Sequence, residues 1–290
     1  MKAIIPVAGL GTRMLPATKS IPKEMLTVVD KPVIQYIMDE CVQAGVTEFI
    51  FITHALKNAI ENYFDTSYEL ESILASKSKF KLLNEINSIV PQNIKISHTR
   101  QGSASGLGHA VLCAKQLLND SPFVVVLPDV IMANYSSDLE KDNLASMIKN
   151  FKKTGKSQIM VNQVPKDKIS AYGVVSPNNK EEVSEEFFAI NNIVEKPKKE
   201  DAPSNLAVTG RYLFTSEIWK YLEETVADAS GEIQLTDAIK AFLKDGNNVN
   251  AYNIKGKHFD CGNKVGYMEA IIEYGKRHPE IGQDVEELLK

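Results

Sequence analysis

The chain of 290 residues has few cysteines, no long apolar run and no strong excess of charge. Each shortage excludes something. Cys41, Cys113 and Cys261 are odd in number and far apart, so they make neither a disulfide framework nor a zinc-ligand pattern, which fits a reducing compartment. No stretch approaches the length of a membrane-spanning helix. The opening Met1-Lys2-Ala3-Ile4-Ile5-Pro6 is too short an apolar run for a signal peptide and meets glycine at once. The expectation is a cytoplasmic protein with no membrane partner. A formal net charge of -4 gives no general attraction to nucleic acid, so any phosphate site must come from individual basic residues. None of the five histidines sits in a base-and-orienter pattern, which argues against serine-type hydrolysis. Internal repeats and low-complexity tracts are lacking as well.

What is present suits a soluble α/β domain, or a main domain with a smaller lobe: 43% of residues are hydrophobic and 24% charged. Ala3 to Ala8 reads as a short buried strand bounded by Gly9 and Gly11. Ile34, Ile37, Met38 and Cys41 form one helical stripe within Pro32 to Ala44, Gly45 ends it, and Glu48 to Thr53 supplies the next strand. This β-α-β order predicts a parallel sheet with right-handed crossovers. Leu56 to Ile89 reads as two charged helices, Ile94 to Thr99 as a strand and His109 to Leu118 as a helix. Pro122 to Leu127 is the clearest central strand, with Asp129 just past its end, where open α/β sheets bind ligands. Further on, a helix to Phe151 and strands around Gln158–Val161, Tyr172–Val175, Ile190–Val194 and Ala207–Phe214 are expected. The polar run Ser176 to Glu186 reads as a solvated hairpin or loop. Helices are expected from Glu217, over Ile233–Leu243 and over Tyr267–Lys276.

Gly9-Leu10-Gly11-Thr12-Arg13 is neither GxGxxG nor a Walker A loop, since Met14 stands where the third glycine would and no GKS or GKT follows. Backbone amides at such a strand-to-loop bend can still cradle anionic oxygens, with Arg13 and Lys23 adding charge. A tight turn with solvated basic residues is the plainer alternative. Asp129 follows a buried strand, where a carboxylate is expensive unless exposed, paired or bound to metal. Asp260 lies beside Gly262, and two carboxylates brought together from distant positions suit a magnesium ion bridging phosphate oxygens. Lys196 is held between Glu195 and Pro197, and Arg211 follows Gly210. Met25, Met38, Trp219 and Tyr221 read as packing residues, and His109 as a capping or packing residue.

The runs AGLGTRMLPATKSIPKEML, THALKNAIENYFDTSYELES, RQGSASGLGHAVLCA, LPDV, VEKP, GRY, GEIQLTDAI and FDCGNKVGYMEA together cover essentially the whole chain. On these the sequence resembles the bacterial UTP–glucose-1-phosphate uridylyltransferases, or UDP-glucose pyrophosphorylases, of the sugar-nucleotide transferase superfamily. The resemblance implies a nucleotide-diphospho-sugar transferase fold: a Rossmann-like α/β architecture with a mixed, mostly parallel sheet flanked by helices. One domain would span residues 1–290, with the sugar-binding region mainly in 165–265 and a C-terminal helical segment at 265–290. It implies UTP and glucose 1-phosphate as substrates, UDP-glucose and pyrophosphate as products, Mg2+ as cofactor, and a homodimer or homotetramer.

Carried onto this chain, the backbone from Ala8 through Gly9 to Gly11 and Thr12 would hold the nucleotide, and Arg13 would reach its phosphates. Lys23 would contact the phosphates and stabilise departing pyrophosphate. Gln101 would read the uracil edge, with Gly106 letting the base approach the backbone. Asp129 and Asp260 would hold magnesium. Glu195 would bind sugar hydroxyls and Lys196 the sugar phosphate, with Gly173 and Gly210 lining the hexose pocket. Arg211 is added there, with bracing of the sheet as its alternative. Two departures stand out: the family's QGxAKGLGHA has Ser105 in place of lysine, and EMLP has Thr27 in place of proline. A catalytically weak relative departs at the Thr–Arg of the first loop; Thr12 and Arg13 are intact here. Rival readings are a dTTP- or CTP-using nucleotidyltransferase, a non-catalytic regulatory homologue, and a dinucleotide-dependent oxidoreductase, which the missing third glycine disfavours.

Overall fold

The computed structural model describes residues 1–290. Nine strands form one sheet: β1 (Lys2–Pro6), β2 (Glu48–Thr53), β3 (Lys95–Arg100), β4 (Phe123–Val126), β5 (Ser157–Gln163), β6 (Gly173–Pro177), β7 (Phe187–Glu195), β8 (Leu206–Phe214) and β9 (Val249–Asn253). Their order across the sheet is β3-β2-β1-β4-β8-β5-β9-β7-β6. Strand β1 is parallel to β2 and β4, and β2 to β3, giving an all-parallel, Rossmann-like half. Strand β8 then runs antiparallel to both β4 and β5. Beyond it β5 and β9 are parallel, while β7 is antiparallel to β9 and β6. The sheet is therefore mixed, with its regular parallel part at one end.

Alternation along the strands divides the core into two layers, because successive side chains point to opposite faces. Ala3 and Ile5, Phe49 and Phe51, Val124 and Val126 pack on one face with Ile34, Ile37 and Met38. Ile4, Ile50, Ile52, Phe123 and Val125 pack on the other with Val111, Trp219, Ile239 and Phe242. Helices so cover both faces, which is what a parallel half needs. The helix expected over Pro32–Ala44 spans Val33–Gln43 and buries the anticipated stripe. No helix is long and apolar enough to cross a membrane.

Several elements differ from expectation. Residues 56–89 hold three short helices, Asn58–Phe64, Tyr68–Ser76 and Phe80–Asn87, rather than two. The helix expected over His109–Leu118 is split into Leu107–Leu112 and Lys115–Leu118. Strand β9 went unanticipated because its sequence, Val-Asn-Ala-Tyr-Asn, carries polar residues between buried ones. A separate two-stranded ladder, Val130–Met132 against His258–Asp260, joins segments far apart in sequence, and no local pattern announces it.

The chain leaves β1 toward β2 on one side, while β4 lies on the other side of β1. The crevice outside the carboxyl ends of β1 and β4 is thus a topological switch point, the expected place for a ligand.

Candidate active site

A cleft of about 460 Å³ opens at that switch point, floored by Ala8, Gly9, Gly11 and Thr12 after β1 and by Leu127, Pro128 and Asp129 after β4. Lys23, Gln101 and Gly106 complete it together with Glu232. The first loop is held to the short turn Ala17–Lys19, which precedes the turn of Lys23: Thr18 Oγ1 donates to the Gly11 carbonyl at 2.8 Å. A cavity of about 180 Å³ adjoins this cleft through Leu127 and Asp129, lined also by Arg13, Tyr172, Gly210, His258 and Asp260. Asp129 therefore stands between two spaces.

Gln101 directly follows β3 and is held to the end of β2, its backbone N–H donating to the Thr53 carbonyl at 2.9 Å. The glycine-rich loop that follows is locked to residues 232–234. Ile233 N donates to the Ser105 carbonyl and Gly108 N to the Ile233 carbonyl, each at 2.8 Å. Gly106 has a φ of +93°, and a Cβ there would lie 2.6 Å from the Ile233 carbonyl oxygen. Its lack of side chain is thus required by Ile233, besides any base that approaches. Ser105, the departure from lysine, meets Ser103 at 2.8 Å between hydroxyls.

The two aspartates are brought together by the small ladder. Val130 pairs with Asp260, and Cys261 N donates to the Asp129 carbonyl at 2.7 Å. A Cβ built on Gly262 would lie 2.8 Å from Asp129 Oδ2 and 2.9 Å from Asp260 Oδ1, so both carboxylates face one point that only a glycine leaves open. Gly262 N also donates to Asp260 Oδ1 at 2.9 Å. Asn263 then caps the helix Lys264–Gly275, its Oδ1 accepting from Gly266 N at 2.9 Å. No group of three or more His, Cys, Asp or Glu side chains forms a metal cage. Two carboxylates alone fit a hard divalent cation that takes its other ligands from phosphate oxygens and water.

Lys23 Nζ lies 2.5 Å from Asp129 Oδ2. Burial by itself would lower the Lys23 pKa, but attraction to Asp129, then to Glu24, outweighs it and the pKa stands above the ordinary lysine value. Burial likewise opposes ionisation of Asp129, and the Lys23 cation overcomes this to hold the carboxyl below its usual range. Lys23 is positioned by its neighbour in sequence. Glu24 is buried and receives Lys57 Nζ at 2.7 Å, tying the Lys23 turn to the chain just before the helix Asn58–Phe64.

Near the smaller cavity, Glu195 Oε2 accepts from Thr236 Oγ1 at 3.2 Å and lies 3.3 Å from where a Gly173 Cβ would be. Lys196 Nζ is 3.2 Å from Glu195 Oε1 and half exposed. Its backbone has a φ of +41°, unusual for a side chain-bearing residue and doubly so before proline. The Lys196 N–H donates to the Tyr172 carbonyl at 3.1 Å, which fixes this bend beside the smaller cavity. Gly173, Glu195 and Lys196 flank that cavity rather than line it. Arg13 is exposed and lines this smaller cavity rather than the larger cleft.

Arg211, expected among the residues that line the hexose pocket, does not reach it. Its side chain is fully buried and all its donors are taken within the protein. Nε and Nη2 reach Glu40 at 3.1 and 2.6 Å, Nη2 also reaches the Val130 carbonyl, and Nη1 reaches the carbonyls of Leu127 and Gly210. The guanidinium braces the sheet against the helix Val33–Gln43 and offers nothing to a ligand. Glu232, Tyr172 and His258 entered no sequence-based site; each is carried in by a segment whose neighbours are fixed by long-range pairing.

This arrangement has counterparts. The sequence profile of the nucleotidyl transferase family matches residues 2–277. A UTP–glucose-1-phosphate uridylyltransferase from Haemophilus influenzae is 56% identical over 290 residues, covering 100% of this chain and 98% of its own length. A solved UTP-bound UGPase from Acinetobacter baumannii is 46% identical with a TM-score of 0.90, over 99% of this chain and 98% of that one. A UDP-glucose pyrophosphorylase solved in complex with UDP-glucose is 39% identical with a TM-score of 0.84, over 96% and 99%. With profile, full-length relatives and fold in agreement, the chain belongs to the nucleotidyl transferase family.

Proposed function

We infer that the chain transfers a uridylyl group from UTP to glucose 1-phosphate, giving UDP-glucose and pyrophosphate. The observation that carries this is Asp129, a carboxylate shared by a nucleotide-sized cleft and an adjoining smaller cavity. A sugar phosphate in the smaller space and a triphosphate in the larger would meet there. The full-length relatives named for this reaction support the same reading.

Glucose 1-phosphate brings its own nucleophile. One phosphate oxygen attacks the α-phosphorus of UTP, forming the new P–O bond as the bond to the β-phosphate bridging oxygen breaks and pyrophosphate leaves. No protein nucleophile is needed. The work of the chain is to position two polyanions and offset their repulsion. The loop Ala8 to Thr12 and Gln101 with Gly106 would hold the nucleotide, and Lys23 would neutralise the phosphate chain and the departing pyrophosphate. Arg13 stands on the sugar side of Asp129, where it can reach the attacking phosphate or the α-phosphate. Lys196 would take the sugar phosphate, Glu195 the hexose hydroxyls, and Gly173 and Gly210 would leave room for the ring. Asp129 and Asp260 would hold Mg2+, which when bound neutralises phosphate oxygens and draws the two substrates into line. The reaction exchanges one phosphoanhydride for another and is readily reversible.

The three free cysteines, two of them buried, support a cytoplasmic location. Val265 and Met268, exposed on the helix Lys264–Gly275, support a self-assembly face in the C-terminal segment. Pyrophosphate release with magnesium and glucose 1-phosphate, assayed with UTP, dTTP, CTP and ATP in turn, tests the reading. UTP-dependent release with UDP-glucose formed is expected. Release dominated by another nucleotide would overturn the substrate, and none from folded protein would overturn the activity.

A further inference from the structure

Gln101 Nε2 lies 3.0 Å from the Gly106 carbonyl oxygen and 3.0 Å from His109 Nδ1. A primary amide nitrogen has two hydrogens, and these two acceptors take both. The opposite amide orientation would press Gln101 Oε1 against the Gly106 carbonyl, acceptor on acceptor. The arrangement therefore requires His109 Nδ1 to be unprotonated, with the ring proton on Nε2. Gln101 Oε1 accepts from no group of the protein, yet it is not among the buried unpaired oxygens. It is the free polar atom of an otherwise buried side chain that lines the cleft.

We propose that His109 is a positioning residue that fixes the Gln101 amide so that its carbonyl faces the base, and so sets which pyrimidine edge the cleft accepts. This rests on the reading of the cleft as a nucleotide site with Gln101 at the base. A carbonyl acceptor matches the N3–H donor of uracil. It opposes cytosine, whose N3 is itself an acceptor. Thymine presents the same N3–H, so the lock separates uracil and thymine from cytosine and leaves the 5-methyl group unread. His109 can do this because it sits on the short helix Leu107–Leu112, whose start is fastened by the Gly108 N–H to Ile233. Without the imidazole, only the Gly106 carbonyl restrains the amide, and rotation would offer N–H donors to cytosine.

The test is the ratio of kcat/KM for UTP over CTP in the full-length enzyme. Loss of one hydrogen bond that orients a buried amide is expected to lower that ratio roughly tenfold in His109→Ala. His109→Asn, whose side-chain carbonyl can replace the Nδ1 acceptor, is expected to keep it within about threefold of the parent by the same reasoning. The dTTP rate should track the UTP rate in both variants. A purely structural role would lower all nucleotides together, and an unchanged ratio in folded His109→Ala would overturn the proposal. Gln101→Ala distinguishes the failures: if it collapses the ratio and His109→Ala does not, the lock is wrong and the base reader stands. If Gln101→Ala also leaves the ratio unchanged, the base-reading role falls and the lock with it. A measurement without variants is the long-range 1H–15N spectrum of the His109 ring. A protonated Nε2 with a bare Nδ1 is expected, and a protonated Nδ1 would overturn the assignment.

Discussion

Asp129 faces Lys23 and, across Gly262, Asp260, so its charge bears on both neighbours. Its depressed pKa means that the pair with Lys23 contributes stability above the ordinary carboxylate value of 3.8 and loses it as pH falls through the lower, folded value. The raised pKa of Lys23 has the complementary sign: the contribution is present below 10.5 and lost as pH rises through the higher, folded value. Between those limits the pair should be indifferent to pH, which a thermal melt against pH can check. Asp129→Asn removes the attraction that overcomes burial, so the Lys23 pKa should fall, read by NMR of labelled lysine. Turnover should drop by at least about a hundredfold, the scale on which preorganised charge acts. Gly262→Ala is the sharper test of the proposed cation site. The added methyl would stand 2.8 and 2.9 Å from the two carboxylate oxygens and force them apart. The magnesium concentration for half-maximal rate should rise by about tenfold or more, as for other disturbed metal supports. An unchanged magnesium dependence would remove Asp129 and Asp260 as the cation's holders.

Elements carry the Lys23 turn into place through one buried ion pair, Glu24 with Lys57, exposed by 1% and 3%. Burial raises the Glu24 pKa and lowers that of Lys57 in spite of their mutual attraction, so desolvation is the larger force on each. Such a pair positions more than it stabilises. Lys57→Met alone strands a buried carboxylate and should destabilise by about 3–5 kcal/mol, whereas Lys57→Met with Glu24→Leu should recover most of that. Urea unfolding of the singles and the double checks it, and a turnover defect that persists in the stable double variant would show the positioning role. This pair was invisible in the sequence, where Lys57 is one charge in a polar run. So was the bidentate bond from Arg211 to Glu40, whose partners lie 171 residues apart. Legible elements were those with their own signal: the stripe in Val33–Gln43 and the β-rich runs of β2, β4 and β8. The break that makes a third short helix in 56–89 is local, at Ser78 with a φ of +53°, whereas the ladder beside Asp129 depends on tertiary pairing that no window of ten residues contains.

At the scale of the whole molecule, the sequence made the parallel half readable because β1, β2, β3 and β4 follow one another with helices between. The other half defeats such reading: β8 inserts between β4 and β5, and β9 pairs beside β5 from nearly a hundred residues later. That threading has a consequence for stability. Strand β8 hydrogen-bonds to β4 on one side and β5 on the other, so the parallel half and the half carrying Glu195 share one continuous ladder. Arg211, midway along β8, adds a fully buried clamp to the helix under the parallel half. A chain of this length often divides into separately melting units. Here the sheet cannot part between β4 and β8 without exposing Val124, Val126 and Leu213 together, all of one core layer. Thermal unfolding should therefore be a single transition, and ligand bound at one end should move all of it. UTP at a hundred times its dissociation constant would add about 2.7 kcal/mol to the folded state. For a chain of 290 residues that raises the melting temperature by roughly 4–5 °C. Calorimetry with and without UTP reads the outcome directly: one peak that shifts intact supports a single domain over residues 1–290, and two peaks of which one shifts would divide the chain between its nucleotide and sugar halves.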